Sequence, residues 1–168
     1  GQRSTKSSFA SRLCVWAAAT IPQAEVRAYH VNEDRSVEDQ QRFIWDALPL
    51  NIRTLPTKKG VYHSVQYSQK NGFTDNVCIL PPLPGAKRGG TIKFGNYRQY
   101  QQDAQVTEGF KAHLIWADEE IPPKMFETLI YRTTDCHGRV ILTFTTLSGW
   151  TPLIQDILGR TRTLEKRR

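Results

Sequence analysis

The sequence predicts an α/β fold, a mainly parallel central sheet flanked by helices. Two observations predict it. Segments of helical period alternate with short β-type runs along the chain. The strongest run, Leu114-Ile115-Trp116-Ala117, breaks off abruptly in Asp118-Glu119-Glu120. An apolar strand ending in acids suits an open α/β sheet, whose ligands sit at the C-terminal ends of its strands.

Taken in order, the first element is a helix over 7–20, carrying Phe9, Leu13, Val15, Trp16 and several alanines and closed by Pro22. A short strand covers 26–31. Asn32 to Arg35 reads as a polar turn. Ser36 reads as an N-cap with Asp39 three residues on, opening a helix through Phe43, Ile44, Trp45 and Leu48 that stops at Pro49. Alternation over 61–67 puts Val61, His63, Val65 and Tyr67 on one face of a strand, Asn71-Gly72 signals a turn, and 77–80 is a second short strand. Prolines and glycines from Pro81 to Gly90 make a loop that holds Lys87 and Arg88. A strand follows over 91–94, then a polar stretch over 95–109 with no clear period. Pro122-Pro123 opens a helix to about Thr133, with Met125, Phe126, Leu129 and Ile130 on one side. Another strand covers 139–145, and a last helix over 150–158 meets a natural stop at Gly159.

Composition narrows the class. The 168 residues are about one domain's worth of sequence. With 39% hydrophobic residues there is enough for a core, and 23% charged argues against wholesale disorder. No run of about 18 apolar residues is present, the length that a spanning helix needs. The opening residues are polar and lack the apolar stretch of a secretory signal. Cys14, Cys78 and Cys136 are too few and too far apart for a zinc cluster, and an odd count points to a reducing cytosol rather than a disulfide framework. A net charge of +7 suits a polyanion such as nucleic acid or a nucleotide, although many soluble domains are as basic.

Two segments carry chemistry. Gly1-Gln2-Arg3-Ser4-Thr5-Lys6-Ser7-Ser8 stands directly before the first helix. A phosphate loop needs inward backbone N–H groups at a helix N-terminus, a lysine for the β- and γ-phosphates and a hydroxyl for magnesium. Lys6 and Ser7 fit the last two roles. Thr5 stands where the pattern has glycine, so any positive φ there becomes costly. The same stretch also reads as a basic, serine-rich tail. In the second segment Asp118 can hold magnesium, directly or through water, and Glu119 can orient and deprotonate an attacking water. The plain alternative is a strand running into a solvated acidic turn. Together the two segments have the layout of P-loop ATPases with an additional catalytic glutamate, with room for a strand between them in the sheet. Thr143-Phe144-Thr145-Thr146 ends a later strand in hydroxyls that can sense a γ-phosphate. His30, His63, His113 and His137 have no ligand spacing and read as structural, and Cys14 reads as core.

Gly90-Thr-Ile-Lys-Phe-Gly-Asn-Tyr97, Glu108-Gly109, Leu114-Ile-Trp-Ala-Asp-Glu-Glu-Ile-Pro122, Arg132, Gly138-Arg-Val-Ile-Leu-Thr-Phe-Thr145 and Leu147-Ser-Gly149 carry a family likeness. On these residues the chain resembles the ATPase domain of the terminase large subunit of tailed bacteriophages, the motor that packages DNA. The resemblance implies a RecA-like P-loop domain over 1–158 whose first strand is missing, and a basic tail over 159–168 leading to an absent nuclease domain. It implies ATP and magnesium as cofactors, with Gly1, Gln2, Arg3, Ser4, Thr5, Lys6, Ser7 and Ser8 binding ATP. Lys6 and Ser7 match the Walker A lysine and hydroxyl, Asp118 the Walker B aspartate, Glu119 the catalytic glutamate, and Thr143 and Thr145 the coupling motif. Ser7 and Asp118 are then the magnesium ligands. The implied partners are double-stranded DNA, a portal protein, a small terminase subunit and further copies in a ring, with no membrane, in the host cell cytoplasm. Thr5 in place of glycine and Thr146 in place of proline depart from the family pattern. An arginine finger would come from a neighbouring subunit, with Arg132 as the alternative within the chain. Lys87, Arg88, Arg98 and the tail are candidates for DNA phosphate contacts. Two other readings stand beside this one: another P-loop nucleic-acid motor, helicase-like, and a catalytically impaired DNA-binding fragment.

Overall fold

The structure is a computed structural model and describes residues 4–55, 63–144 and 151–165. Its strands are β1 (Glu25–His30), β2 (Tyr67–Ser68), β3 (Gly72–Phe73), β4 (Val77–Ile79), β5 (Thr91–Asn96), β6 (Leu114–Asp118) and β7 (Arg139–Thr143). The central sheet has the order β4-β5-β1-β6-β7. Within it β5, β1, β6 and β7 run parallel, and β4 is an antiparallel edge. Strands β2 and β3 form a separate hairpin. The expected α/β class with a mostly parallel sheet is what the chain adopts.

Side-chain alternation divides the core into two layers. On one face Val26 and Ala28, Ile92 and Phe94, Leu114 and Trp116, and Ile141 pack beneath helix α1 (Ser4–Thr20). Ala10, Cys14, Ala17 and Ala18 give α1 a small-residue underside, so it lies close to the sheet. Gly90 completes the fit, because a Cβ there would run into the Ala18 carbonyl. On the other face Ile115, Ala117, Val140 and Leu142 meet Met125 and Leu129 of a helix over Pro123–Thr134 and Leu153 of the last helix, Pro152–Glu165. Burial on both faces explains why 114–117 contains no polar residue.

Several boundaries differ from those read in the sequence. Helix α1 includes Ser4 to Ser8, because nothing in that stretch breaks a helix. The second helical stretch, 33–47, opens at Asn32, whose side chain accepts the Arg35 N–H at 2.9 Å. Ser36 is therefore a buried interior residue and not the N-cap. The middle of this stretch, Ser36–Gln41, is wound as a π-helix and turns the adjacent Gln40 and Gln41 both inward. Gln41 ties down the hairpin by accepting from Phe73 N at 2.7 Å and donating to Asn76 Oδ1 at 2.9 Å. Gln40 donates to Tyr29 O at 3.0 Å. The stretch 95–109 is not irregular. It holds a helix over Tyr97–Gln102, started by a capping box between Asn96 and Gln99. Gly159 does not stop the last helix, which continues through 160–165, the expected tail. With Leu153 and Ile157 anchored in the core, the helix tolerates a glycine cost of about 1 kcal/mol. Of the strand expected over 61–67, residues 61 and 62 lie outside the described residues. His63 and Val65 are buried, Ser64 bridges to Ile79, and Tyr67 opens β2, so the stretch is two short pairings and not one strand. No helix among the described residues is long and apolar enough to cross a membrane.

Burial pushes the Cys14 thiol far up and that of Cys78 to about 12, so neither forms thiolate while folded. Cys136 is half-buried. Iodoacetamide should alkylate Cys136 in the native protein and all three cysteines after unfolding, as intact mass will report. Gly90→Ala should lower stability by about 1–3 kcal/mol through overpacking against α1, measured by urea denaturation.

Candidate functional site

Each α1-facing row of the parallel strands ends in a polar residue. Val26 and Ala28 lead to His30, Ile92 and Phe94 to Asn96, Leu114 and Trp116 to Asp118, and Ile141 to Thr143. Register aligns them, with His30 opposite Asn96 and Asp118 opposite Thr143. His30 and Asp118 each follow the Tyr29–Ala117 pair that joins β1 to β6. All four are buried. The result is a polar row across the C-terminal edge of the sheet, met by the start of α1.

Asp118 is the centre of the row. Its Oδ1 accepts from Thr143 Oγ1 at 2.6 Å and from the Glu119 N–H at 3.2 Å. Its Oδ2 accepts from Ser7 Oγ at 3.4 Å, across 111 residues of sequence. Thr143 Oγ1 itself accepts from Trp116 Nε1 at 2.6 Å. An indole N–H can only donate, so the threonine proton is directed at Asp118. Lys6 Nζ donates to Phe144 O at 2.8 Å, placing an ammonium beside the end of β7.

Glu119 follows in the left-handed region, with φ at 66°. For a non-glycine residue such backbone is strained by about 1–3 kcal/mol and is over-determined by its neighbours. Here the Glu119 N–H donates to Thr143 O at 2.8 Å, while Tyr97 OH donates to the Asp118 carbonyl at 2.8 Å and the Glu119 carbonyl at 3.4 Å. Burial, then the Asp118 and Glu119 carboxylates, raise the Tyr97 phenol well above its ordinary value, so it stays a donor. The Glu119 residue is exposed.

His30 is fixed on one side. Its Nδ1 accepts the Val31 N–H at 2.8 Å, so the ring proton of the neutral form sits on Nε2. That nitrogen lies 3.9 Å from Asp118 Oδ2 and 4.0 Å from Asp39 Oδ2. Burial lowers the His30 pKa most, against the opposing pull of Asp118, Asp39 and Glu119. Asp39 comes from the π-helical turn, and Arg35 Nη1 lies 3.9 Å from the same oxygen, Oδ2, that faces His30.

The Ser7 hydroxyl and the Asp118 carboxylate are hard oxygen donors and fit magnesium. Among the described residues no group of three or more His, Cys, Asp or Glu could hold a metal. An ion here would draw its other ligands from phosphate and water, which is how magnesium is held beside nucleotides. The first turn of α1 has no acidic residue, and the positive end of a helix dipole favours an anion.

Of the residues singled out in the sequence, Lys6, Ser7, Asp118, Glu119 and Thr143 converge. Ser4, Thr5 and Ser8 belong to the same first turns of α1. Thr5 is helical and exposed and has no positive φ, so its backbone places no demand for glycine. Gly1, Gln2, Arg3, Thr145 and Thr146 lie outside the described residues. Arg132 does not join the site. Its Nε donates to Thr107 O at 2.9 Å and its carbonyl accepts from Ala112 N, at the opposite edge of the sheet from Asp118. Arg88 pairs with Glu25 at 2.8 Å, also at that far edge. His30, Asn96, Tyr97 and Asp39 were missed. The polar ends of the α1-facing rows were the signal that could have found the first two. No family model matches the chain, and no curated protein matches it closely enough to count.

Thr143→Val should leave the buried Trp116 N–H without its acceptor and remove the shorter of the two hydrogen bonds to Asp118 Oδ1. The expected loss is about 1–3 kcal/mol, with Thr143→Ser close to the parent, measured by chemical denaturation.

Proposed function

We propose that this chain is a magnesium-dependent ATPase of the P-loop type, the motor domain of a terminase large subunit that drives double-stranded DNA into a procapsid. The observation that supports the ATPase reading is the approach of the Ser7 hydroxyl to the Asp118 carboxylate at 3.4 Å, with Lys6 one residue away on the same helix end. A lysine, a hydroxyl and a strand-end aspartate brought together from distant segments are what a nucleotide triphosphate with its metal requires. The terminase reading rests on the residue resemblance over Gly90 to Leu158. The DNA substrate, the portal and small-subunit partners, the ring and the host cytoplasm are proposed on that resemblance.

In this reading Lys6 and the backbone amides at the start of α1 hold the phosphates. Ser7 and Asp118 hold the magnesium, which when bound neutralises charge developing on the transferred group. Thr143 fixes the Asp118 carboxylate in one orientation. Glu119 orients a water for in-line attack on the γ-phosphorus and takes its proton as the bond to the β-bridging oxygen breaks. The strained backbone and four surrounding hydrogen bonds define where Glu119 starts. Thr143 links the same carboxylate to β7.

Glu119→Gln should bind ATP like the parent and hydrolyse it about 10²–10⁴-fold more slowly, in a phosphate-release assay. Hydrolysis at the parental rate would remove Glu119 as the base. Stimulation of turnover by double-stranded rather than single-stranded DNA supports a packaging motor. The reverse preference supports the helicase-like alternative, and absence of turnover supports an impaired DNA-binding fragment.

A further inference from the structure

The His30 imidazole has a proton aimed at two carboxylates that are too far away to receive it directly. Its Nε2 stands 3.9 Å from Asp118 Oδ2 and 4.0 Å from Asp39 Oδ2. A direct hydrogen bond to either would need about 2.7–3.2 Å. Its other nitrogen is committed to the Val31 N–H at 2.8 Å, so the ring cannot reverse its polarity without losing that bond. Polar groups held about 4 Å apart around a shared point are what a single water bridges. Here the complement is complete. A water would accept from Nε2–H and give one proton to each carboxylate. One lone pair remains, and that is what a water in the first shell of a divalent cation presents.

We propose that His30 and Asp39 are positioning residues for the hydration shell of the magnesium beside Asp118, holding a metal water through this three-way contact. The inference rests on the ATPase reading above and deepens it. Magnesium dehydrates reluctantly and keeps several waters, so side chains that orient those waters govern its affinity as the direct ligands do. The sheet fixes His30 because β1 is hydrogen-bonded on both sides, to β5 and β6. The π-helical turn fixes Asp39, and Arg35 Nη1 stands 3.9 Å from the same Asp39 oxygen that faces His30.

The test uses the Glu119→Gln background, in which bound nucleotide persists, and ATP carrying an N-methylanthraniloyl ribose as the fluorescent probe. Binding is titrated against magnesium concentration for the parent, His30→Leu, His30→Gln and Asp39→Ala, with thermal melting as the fold control. The expected result is an increase of about tenfold in the magnesium needed for half-maximal binding for His30→Leu and for Asp39→Ala. Binding of the probe in EDTA should not change. His30→Gln, whose amide can donate from the position of Nε2, should restore most of the magnesium affinity. Because the Asp39 residue is half-buried rather than part of the core, Asp39→Ala keeps the test open if His30→Leu fails to fold. An unchanged magnesium requirement in the folded variants would overturn the proposal. So would an unchanged requirement accompanied by slower turnover when the variants are made on the parental Glu119, which would assign the water to the attack instead. Absence of probe binding to the background protein at any magnesium concentration would overturn the ATPase reading itself, and this inference with it.

Discussion

The orientation of the Asp118 carboxylate is the constraint on which the rest of this site depends. One oxygen is shared by the Thr143 hydroxyl and the Glu119 N–H, and the other faces Ser7 and His30. Trp116 directs the Thr143 proton, so the chain of donors runs one way from the core to the carboxylate. All of this requires the parallel register that sets Asp118 against Thr143 and Trp116 against Ile141. A slip of one residue would turn Trp116 and Asp118 to the opposite face, away from α1. The apolar rows on both faces make that slip costly, so the packing of the core and the geometry of the site have one cause.

Helix α1 brings the other half of the site. Its alanines let it lie close to the sheet, and Gly90 removes the one side chain that would hold it off. Its N-terminal end, with Lys6 and Ser7 and no acid, is thereby carried to the C-terminal edge of β6 and β7. The π-helical turn over Ser36–Gln41 lies on the same face of the sheet, beside α1. It buries Gln40 and Gln41 together, joins the hairpin to the sheet, and sets Asp39 beside His30.

Much of the site was legible in the residues. An apolar run that stops at Asp118 can end in few other ways, and a lysine and a hydroxyl at a helix start suggest an anion. His30 was not legible because an isolated histidine carries no spacing; only the register of β1 against β6 puts it beside Asp118. Tyr97 was hidden in a polar stretch whose helix depends on a short capping box rather than on apolar period. Arg132 erred in the other direction. It lies near Asp118 in sequence and at the opposite edge of the sheet in space, because the helix Pro123–Thr134 runs back along the sheet and carries Arg132 in its last turn.

The sequence by itself determined the class of fold, the order of its main elements and the types of side chain that stand at the ends of β6, β7 and α1. Hydrophobic period and side-chain type are local properties, and they survive without knowledge of neighbours. The tertiary structure decided which strand ends lie side by side, which polar groups face α1, and how the Glu119 backbone is held. Those depend on strand register and helix approach, set jointly by residues far apart in the chain, and no local pattern encodes them.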